Sequence, residues 1–395
     1  MLARLKFEIK PLVKEILNQV DPGVFESSAT SFLDPAMGGG QFIFETIGRL
    51  KEQGHSHANI KSRVFGYESN ILYVNYVKER YFREYGEEIP ATLLAGGLKE
   101  LEILMKQFDL VMGNPPYQDP GKNQANKIWV HFAKEASNLL KPEGVLLFIT
   151  PQTWLNPSDD IAGFSILKDL FATKQLITAH TESSLSSSFP GVGSSFSWWM
   201  IKNTPYQCPS AIITDHGILN LDLRTQRALP KSMHPLAFSI VEKMKKEPFP
   251  NWHPQEECSK SVREKTEEYD IPCFHTPANG GTFWYAKDDH PYFHHPKVLV
   301  SLSGKYAPRY SDNEGYTSMC IALFVDSREE GLNAEGVLKS KLYRWFVGEF
   351  KHGGFNNIKA IMMVPAVDLT RTWTDSELYE HFGLTEEEKQ YVTSS

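Results

Sequence analysis

The amino-acid sequence predicts an α/β protein, a doubly wound, mainly parallel sheet of Rossmann type followed by a C-terminal domain of mixed α+β character. Three observations carry that expectation. Apolar runs of strand length alternate with amphipathic helical stretches through the first half of the chain. A glycine turn, Gly38-Gly39-Gly40, joins the first such run to a helical stretch. Beyond Pro205 the pattern changes to short β-like pieces separated by turn residues. With 395 residues the chain is long for one domain and suits two, each able to bury its own core. The boundary is expected at 210/211, where Asn203, Thr204, Pro205 and Pro209 cluster.

The elements follow in order. Pro11 to Val20 has helical spacing, with Leu12, Val13, Ile16, Leu17 and Val20 on one side and Pro11 suited to a first turn. Phe32-Leu33-Asp34 reads as a buried strand, and Gln41 to about Gly54 as the helix after the glycine turn. Arg63-Val64-Phe65-Gly66-Tyr67-Glu68 reads as a second strand ending in a carboxylate, and Phe108 to Gly113 as a third running into Asn114-Pro115-Pro116-Tyr117. Ile128 to Leu140 is an amphipathic helix and Gly144 to Ile149 a fully buried strand. Helical Ile166–Phe171, a strand at Leu176–Ala179, a serine-rich loop at Ser183–Ser188 and a strand at Phe196–Ile201 complete the first domain. Behind it come a helical pattern at Leu236–Lys246, a charged stretch from Glu256 to Asp270, and β-like pieces at Thr282–Tyr285 and Lys297–Leu302.

The glycine turn lets the backbone approach a ligand closely, and Asp34 at the strand tip can hold a cationic group. The third glycine of the dinucleotide fingerprint is missing, which argues against NAD and FAD. Glu68, at the second strand tip, can accept two ribose hydroxyls, although an acid after a strand is commonly just a solvated turn. The Asn-Pro-Pro-Tyr quartet suits activation of an amino nitrogen whose lone pair is delocalised. The Asn114 side-chain oxygen would accept one N–H, and the carbonyl of Pro115, held in direction by proline geometry and by Pro116, the other. Tyr117 would stack on a planar substrate. Two prolines after a strand more simply close it, and the company of Asp34 and Glu68 is what favours the chemical reading.

Composition bounds the rest. The chain is 41% hydrophobic and 23% charged with net charge -7, which permits nucleic-acid binding only through a local basic face. Lys287, Lys297, Lys305 and Arg309, interleaved with aromatics from Phe283 to Tyr310, are the candidates for such a DNA-binding face. The same mixture suits a half-buried β domain, and both readings stand. Four scattered cysteines without C-x-x-C pairing suggest reduced thiols and no metal site. No apolar run approaches a membrane span or a signal core, so a cytoplasmic protein is expected.

Asp34-Pro35-x-x-Gly38-x-Gly40, then Glu68, then Asn114-Pro115-Pro116-Tyr117, with a large second domain behind them, resemble the gamma class of N6-adenine DNA methyltransferases, the TaqI-like restriction-modification methylases. The resemblance covers most of the chain. It implies a Rossmann-like methyltransferase sheet at 1–210, a target-recognition domain at 211–395, and S-adenosylmethionine as cofactor. Asp34, Pro35, Ala36, Gly38, Gly40, Glu68 and Asn114 would contact that cofactor. Catalysis would rest on Asn114, Pro115, Pro116 and Tyr117. The adenine, flipped out of double-stranded DNA, would stack on Tyr117 with Phe189 of Phe189-Pro190-Gly191 on its other face and Phe196 as the fallback. A cognate restriction endonuclease would be a partner; no membrane or metal is implied.

Two departures stand out. Phe7-Glu8-Ile9-Lys10-Pro11-Leu12 lacks the threonine of the family's usual Thr-Pro, and Gly96-Gly97 stands where members carry Gly-Asp for the cofactor adenine. Leu338–Phe346 resembles a helix of the target-recognition half, with Lys351–Asn357 as its loop, and Trp373–Glu388 resembles the family's closing segment. That segment also reads as a plain acidic helix, with Thr385 and Glu388 spaced as a capping box. The alternative is an RNA or protein-glutamine amino-group methyltransferase, since an amide nitrogen poses the same lone-pair problem; such enzymes tend to carry extra mass ahead of the sheet. A non-catalytic DNA-binding subunit and a fused nuclease are less economical, the second because the chain begins almost at the first helix.

Overall fold

The computed structural model describes residues 9–97, 99–100, 106–117, 128–155, 170, 173–189, 195–224, 229–254, 261–277, 282–288, 291–351, 356 and 358–394. They divide into two compact units, residues 1–154 with 160–226 and residues 155–159 with 227–395.

The first unit is built on one nine-stranded sheet. Its strands are β1 (Phe32–Asp34), β2 (Val64–Glu68), β3 (Leu93–Ala95), β4 (Phe108–Gly113), β5 (Leu140–Pro151), β6 (Gln175–His180), β7 (Phe196–Lys202), β8 (Ser210–Thr214) and β9 (Gly217–Leu221). They lie in the order β3-β2-β1-β4-β5-β7-β6-β8-β9. The first five are parallel, and β7 is inserted antiparallel between β5 and β6. The doubly wound, mainly parallel architecture is thus present, and its strands read as continuous apolar runs because both faces are covered. The first unit runs past the expected boundary at 210/211. β8 pairs with β6 and β9 with β8, so residues 210–221 complete this sheet and the division falls after Gln226. The turn formers at 203–209 mark the bend between β7 and β8.

Helices α1 (Lys10–Leu17), α2 (Gly23–Glu26), α3 (Gln41–Glu52), α4 (His57–Arg63), α5 (Ile71–Tyr85) and α6 (Ile128–Asn138) belong to this unit. α1 starts with Pro11 in its first turn and buries Leu12, Val13, Ile16 and Leu17. α3 begins after Gly40, whose φ of 77° is left-handed; a Cβ there would stand 2.8 Å from the Phe44 ring. Ser56 caps α4 and Asn70 caps α5 through side-chain acceptors for the Asn59 and Leu72 N–H groups. The helical reading of Ile166–Phe171 lies outside the described residues, Leu170 excepted.

The second unit holds two small sheets. Its strands are β10 (Trp252–Pro254), β11 (Ile271–Thr276), β12 (Thr282–Ala286), β13 (Lys297–Ser301), β14 (Arg309–Ser311), β15 (Gly315–Tyr316) and β16 (Cys320–Phe324). One sheet runs β10-β16-β13-β14 and the other β12-β11-β15. Helices α7 (Pro235–Lys243), α8 (Arg328–Lys339), α9 (Lys341–Glu349), α10 (Ile358–Met362), α11 (Asp375–His381) and α12 (Glu386–Ser394) pack an apolar core around Val298, Leu323, Val337, Leu342 and Phe346.

The single helix expected over Leu338–Phe346 is two. Ser340 turns extended (φ -57°, ψ 158°), ends α8, and caps α9 by accepting the Tyr343 N–H. The capping box at Thr385 forms, with Glu388 and Thr385 exchanging side-chain and backbone bonds, and a second joins Thr374 to Glu377. Cys208 and Cys320 are free thiols, whereas Cys273 is disulfide-bonded, so the expectation of reduced cysteines fails at that position.

Gly40→Ala is expected to destabilise the first unit by about 2 to 4 kcal/mol, from the left-handed backbone and the overpacked Phe44 ring together. Denaturant unfolding measures this; a loss below about 1 kcal/mol would mean that the turn relaxes freely.

Candidate active site at the ends of three strands

Three parallel strands stop side by side at their carboxyl ends: β1 on Asp34, β2 on Glu68 and β4 on Gly113, one residue before Asn114. The chain order of these neighbours reverses between β2 and β4 across β1, which is where open α/β sheets bind ligands. A cavity of about 440 Å³ opens there. Of the residues singled out from sequence, Asp34, Pro35, Ala36, Gly38, Glu68, Asn114, Pro116 and Phe189 line it. Gly40 lies behind the loop at the start of α3, and Pro115 is buried beneath its exposed neighbour Pro116.

Glu68 organises the mouth. Its two carboxylate oxygens accept the Gly38 N–H at 2.8 Å and the Asn70 N–H at 2.7 Å, so one side chain ties the glycine turn to the start of α5. The turn is also anchored by the Met37 N–H, which donates to the Tyr67 carbonyl at 2.8 Å. A carboxylate offers about four acceptor sites. Two therefore remain on Glu68 for hydroxyls of a ligand.

Asp34 lies deeper, 1% exposed, and accepts the Ala36 N–H at 3.1 Å. Burial raises its pKa, the Ala36 bond lowers it and the charge of Glu68 raises it again, for a value of about 8. Space for this carboxyl depends on Gly113, where a Cβ would stand 2.8 Å from Oδ1. A carboxyl held this far from its ordinary value is short of a cation.

Asn114 faces the cavity, and one of the two acceptor positions of its Oδ1 is already taken. The Tyr117 hydroxyl donates to it at 2.5 Å, and desolvation keeps that phenol protonated by driving its pKa well above the usual range. The Tyr117 ring packs on Phe196 at 5.4 Å between centroids, and Phe196 on Phe189 at 4.2 Å. Phe196 is 1% exposed and belongs to the sheet core, which leaves it no open face for a substrate. Its fallback role is thereby contradicted, because burial in β7 fixes it as the backing of the other two rings. Pro190 and Gly191 lie outside the described residues.

Gly96 and Gly97, noted from sequence as a departure at the cofactor-adenine position, also line the cavity, and sequence reasoning missed Met37, Tyr73 and Phe132 there. The signal for Phe132 was available, since it lies on the apolar face of α6. At the Gly96-Gly97 position the Gly97 N–H donates to the Glu100 carboxylate at 2.5 Å.

The four expected DNA contacts fare differently. Lys297 is fully buried and donates to the carbonyls of Tyr292, Phe293 and His295, so it holds the turn before β13 and is not a phosphate contact. Desolvation pulls its pKa down to about 8. Lys287 pairs with Glu268 at 2.9 Å, and Arg309 pairs with Glu314 at 2.8 Å while lying over the Phe274 ring. Lys305 is exposed. Among the described residues no helix is long and apolar enough to cross a membrane, and no group of three acidic, histidine or cysteine side chains could hold a metal ion.

Residues 58–183, which carry β2 through β6 and the Asn-Pro-Pro-Tyr loop, match the family described as Eco57I restriction-modification methylase. This segment, about a third of the chain, is similar to the restriction-modification methylases. Among solved structures, a nuclease-deletion mutant of the Type ISP restriction-modification enzyme LlaGI, in complex with a DNA substrate mimic, shares 13% identity over 87% of this chain and 51% of that one, with a TM-score of 0.54. The Type IIL restriction-modification enzyme MmeI in complex with DNA shares 12% identity over 92% and 65% of the two chains, at a TM-score of 0.49. The Type I restriction enzyme EcoKI M protein shares 15% over 71% and 66%, at 0.41. The LlaGI likeness establishes the fold. The chain spans about half the length of the LlaGI protein and somewhat under two thirds of the other two.

The cofactor of this family and fold is S-adenosylmethionine, and the cavity fits it. Buried Asp34 would meet its cationic amino acid end, and the free acceptor sites of Glu68 its ribose hydroxyls. Bare backbone at Gly38 and Gly39 leaves room between them.

Because Asp34 must ionise to hold a cation, cofactor affinity is expected to fall about tenfold per pH unit below about 8, and the complex to release a proton on forming at pH 7. The sign for stability is opposite. With its folded pKa raised, Asp34 favours the free fold at low pH and that contribution is lost as pH climbs from about 4 to about 8. Calorimetry in buffers of different ionisation enthalpy measures the proton, and Asp34→Asn should flatten the profile.

Proposed function

We propose that this chain transfers a methyl group from S-adenosylmethionine to the N6 nitrogen of an adenine rotated out of double-stranded DNA. The observation that carries the reading is one cavity bounded by the Asp34 and Glu68 carboxylates, the glycine turn and Asn114. The methylase match over residues 58–183 supports it.

The bound cofactor supplies an electrophilic methyl carbon on a cationic sulfur. This chain's own residues do the rest by placement. Once freed, Asn114 Oδ1 would accept one N–H of the amino group and the Pro115 carbonyl the other, turning the nitrogen lone pair toward the incoming carbon. A methyl group passing from sulfur to that nitrogen would leave the nitrogen positively charged and acidic, and its proton would go to solvent. No strong general base is needed. Near-attack placement of this kind is worth about 7 to 11 kcal/mol. Tyr117 and Phe189 would stack on the extruded base and offset an unstacking cost of a few kcal/mol.

The second unit would read the DNA. Lys305 and Lys287 are the expected contacts there that stay exposed, the second paired with Glu268, and the aromatics of β12 are half-exposed. A cognate restriction endonuclease as partner and a cytoplasmic setting complete the reading.

Sequencing of modified bases in DNA from cells expressing the chain tests it: N6-methyladenine at a fixed sequence is the expected result, and methyl label appearing on RNA or on protein glutamine would overturn it. Asn114→Ala should reduce transfer at least a hundredfold, about 3 kcal/mol of barrier, with cofactor affinity nearly unchanged. Glu68→Ala should weaken cofactor binding more than DNA binding. Titration of each ligand separately decides both.

A further inference from the structure

The contact between Tyr117 and Asn114 has a role that stacking does not explain. The group that must accept the target's N–H already accepts an O–H, from the side chain that must also receive the target's ring. Tyr117 can do this because its ring is backed by Phe196, which also supports Phe189 at the cavity wall. A hydrogen-bond acceptor left empty in a half-buried corner is costly. The hydroxyl satisfies that need while no substrate is present.

We propose that Tyr117 is a latch on the amino-group site: its hydroxyl is an internal stand-in for the target N–H, and the site opens by exchanging one donor for the other. The inference rests on the reading of Asn114 as the amino-group acceptor. Exchange is nearly neutral for a target that brings an N–H donor, because Oδ1 loses one bond and gains another. A ring presenting a carbonyl at the same point breaks the bond and returns none, so the latch stays shut against it. Each productive encounter is taxed by the closed population, which lowers apparent affinity by the fraction of molecules that are open. The neighbour behind Tyr117 has a further part. Phe196 cannot move without breaking β7, whereas Tyr117 lies in the loop after β4, so the tyrosine is the ring that swings.

The test uses the full chain and two readouts. In denaturant unfolding of the ligand-free protein, Tyr117→Phe and Asn114→Ala are combined in a double-mutant cycle. The latch predicts coupling of about fivefold in the unfolding equilibrium constant, the worth of one hydrogen bond. An additive cycle overturns the latch whether or not the chain methylates DNA. The second readout is kinetic, on the DNA site that base sequencing identifies. Tyr117→Phe keeps the stacking ring and removes the donor, and the latch predicts that the KM for DNA falls about fivefold. A KM that holds or rises overturns it, since the bond would then serve to orient the Asn114 amide for catalysis. Absence of methyl transfer by the unaltered chain would sink the reading of the site while leaving the unfolding cycle to decide the latch.

Discussion

One carboxylate holds the cavity together. Glu68 ends β2, and with both oxygens engaged by backbone N–H groups it fastens the turn after β1 to the start of α5. Both donors belong to backbone that no helix or strand partner can satisfy, so the carboxylate replaces the partners the chain itself lacks there. The clamp fixes the turn at Gly38, while Asp34 is placed by the pairing of β1 with β2 and β4. A ligand with vicinal hydroxyls would meet an acceptor already fixed in direction, with little ordering left to do.

The opposite wall is built from rings rather than charges. Phe196 in β7 supports Tyr117 on one side and Phe189 on the other. Because β7 runs antiparallel between β5 and β6, its first residue comes level with the last of β5, so Phe196 sits beside Pro151 at the same edge of the sheet where β4 releases its loop. The inserted strand is therefore what brings aromatic surface to the site. A sheet of purely parallel strands would present a loop at that place.

Much of this was legible in the order of residues. Strand tips carrying Asp34 and Glu68, the glycine turn, and the loop at Asn114 could be read because each depends on local chemistry: apolar runs, turn formers and acids at fixed offsets. What could not be read depends on partners distant in sequence. β8 and β9 look like the start of a new domain until their pairing with β6 is known. Lys297 looks like a surface cation in a basic, aromatic stretch, yet three carbonyls of the preceding turn enclose it. The break at Ser340 was signalled by a serine that suits a helix cap, but apolar periodicity on both sides masked it. The hydroxyl on Asn114 could not be foreseen at all, since the same four residues are compatible with an open or a closed corner.

The electrostatics of the cavity select among ligands that the fold alone would admit. Two carboxylates flank one turn, and the deeper one is so short of compensation that it stays largely protonated at neutral pH. A pyrophosphate brought to that turn would face Glu68 at the mouth and would gain nothing from Asp34. An amino acid moiety with a neighbouring sulfonium brings positive charge to the place where Asp34 lacks it, and draws the proton off as it binds. Gly113 keeps the space that makes this possible, because any side chain there would displace the Asp34 carboxyl. The preference for a cationic nucleoside over a dinucleotide thus comes from where two acids stand on adjacent strands, with the absent third glycine as its trace in the sequence.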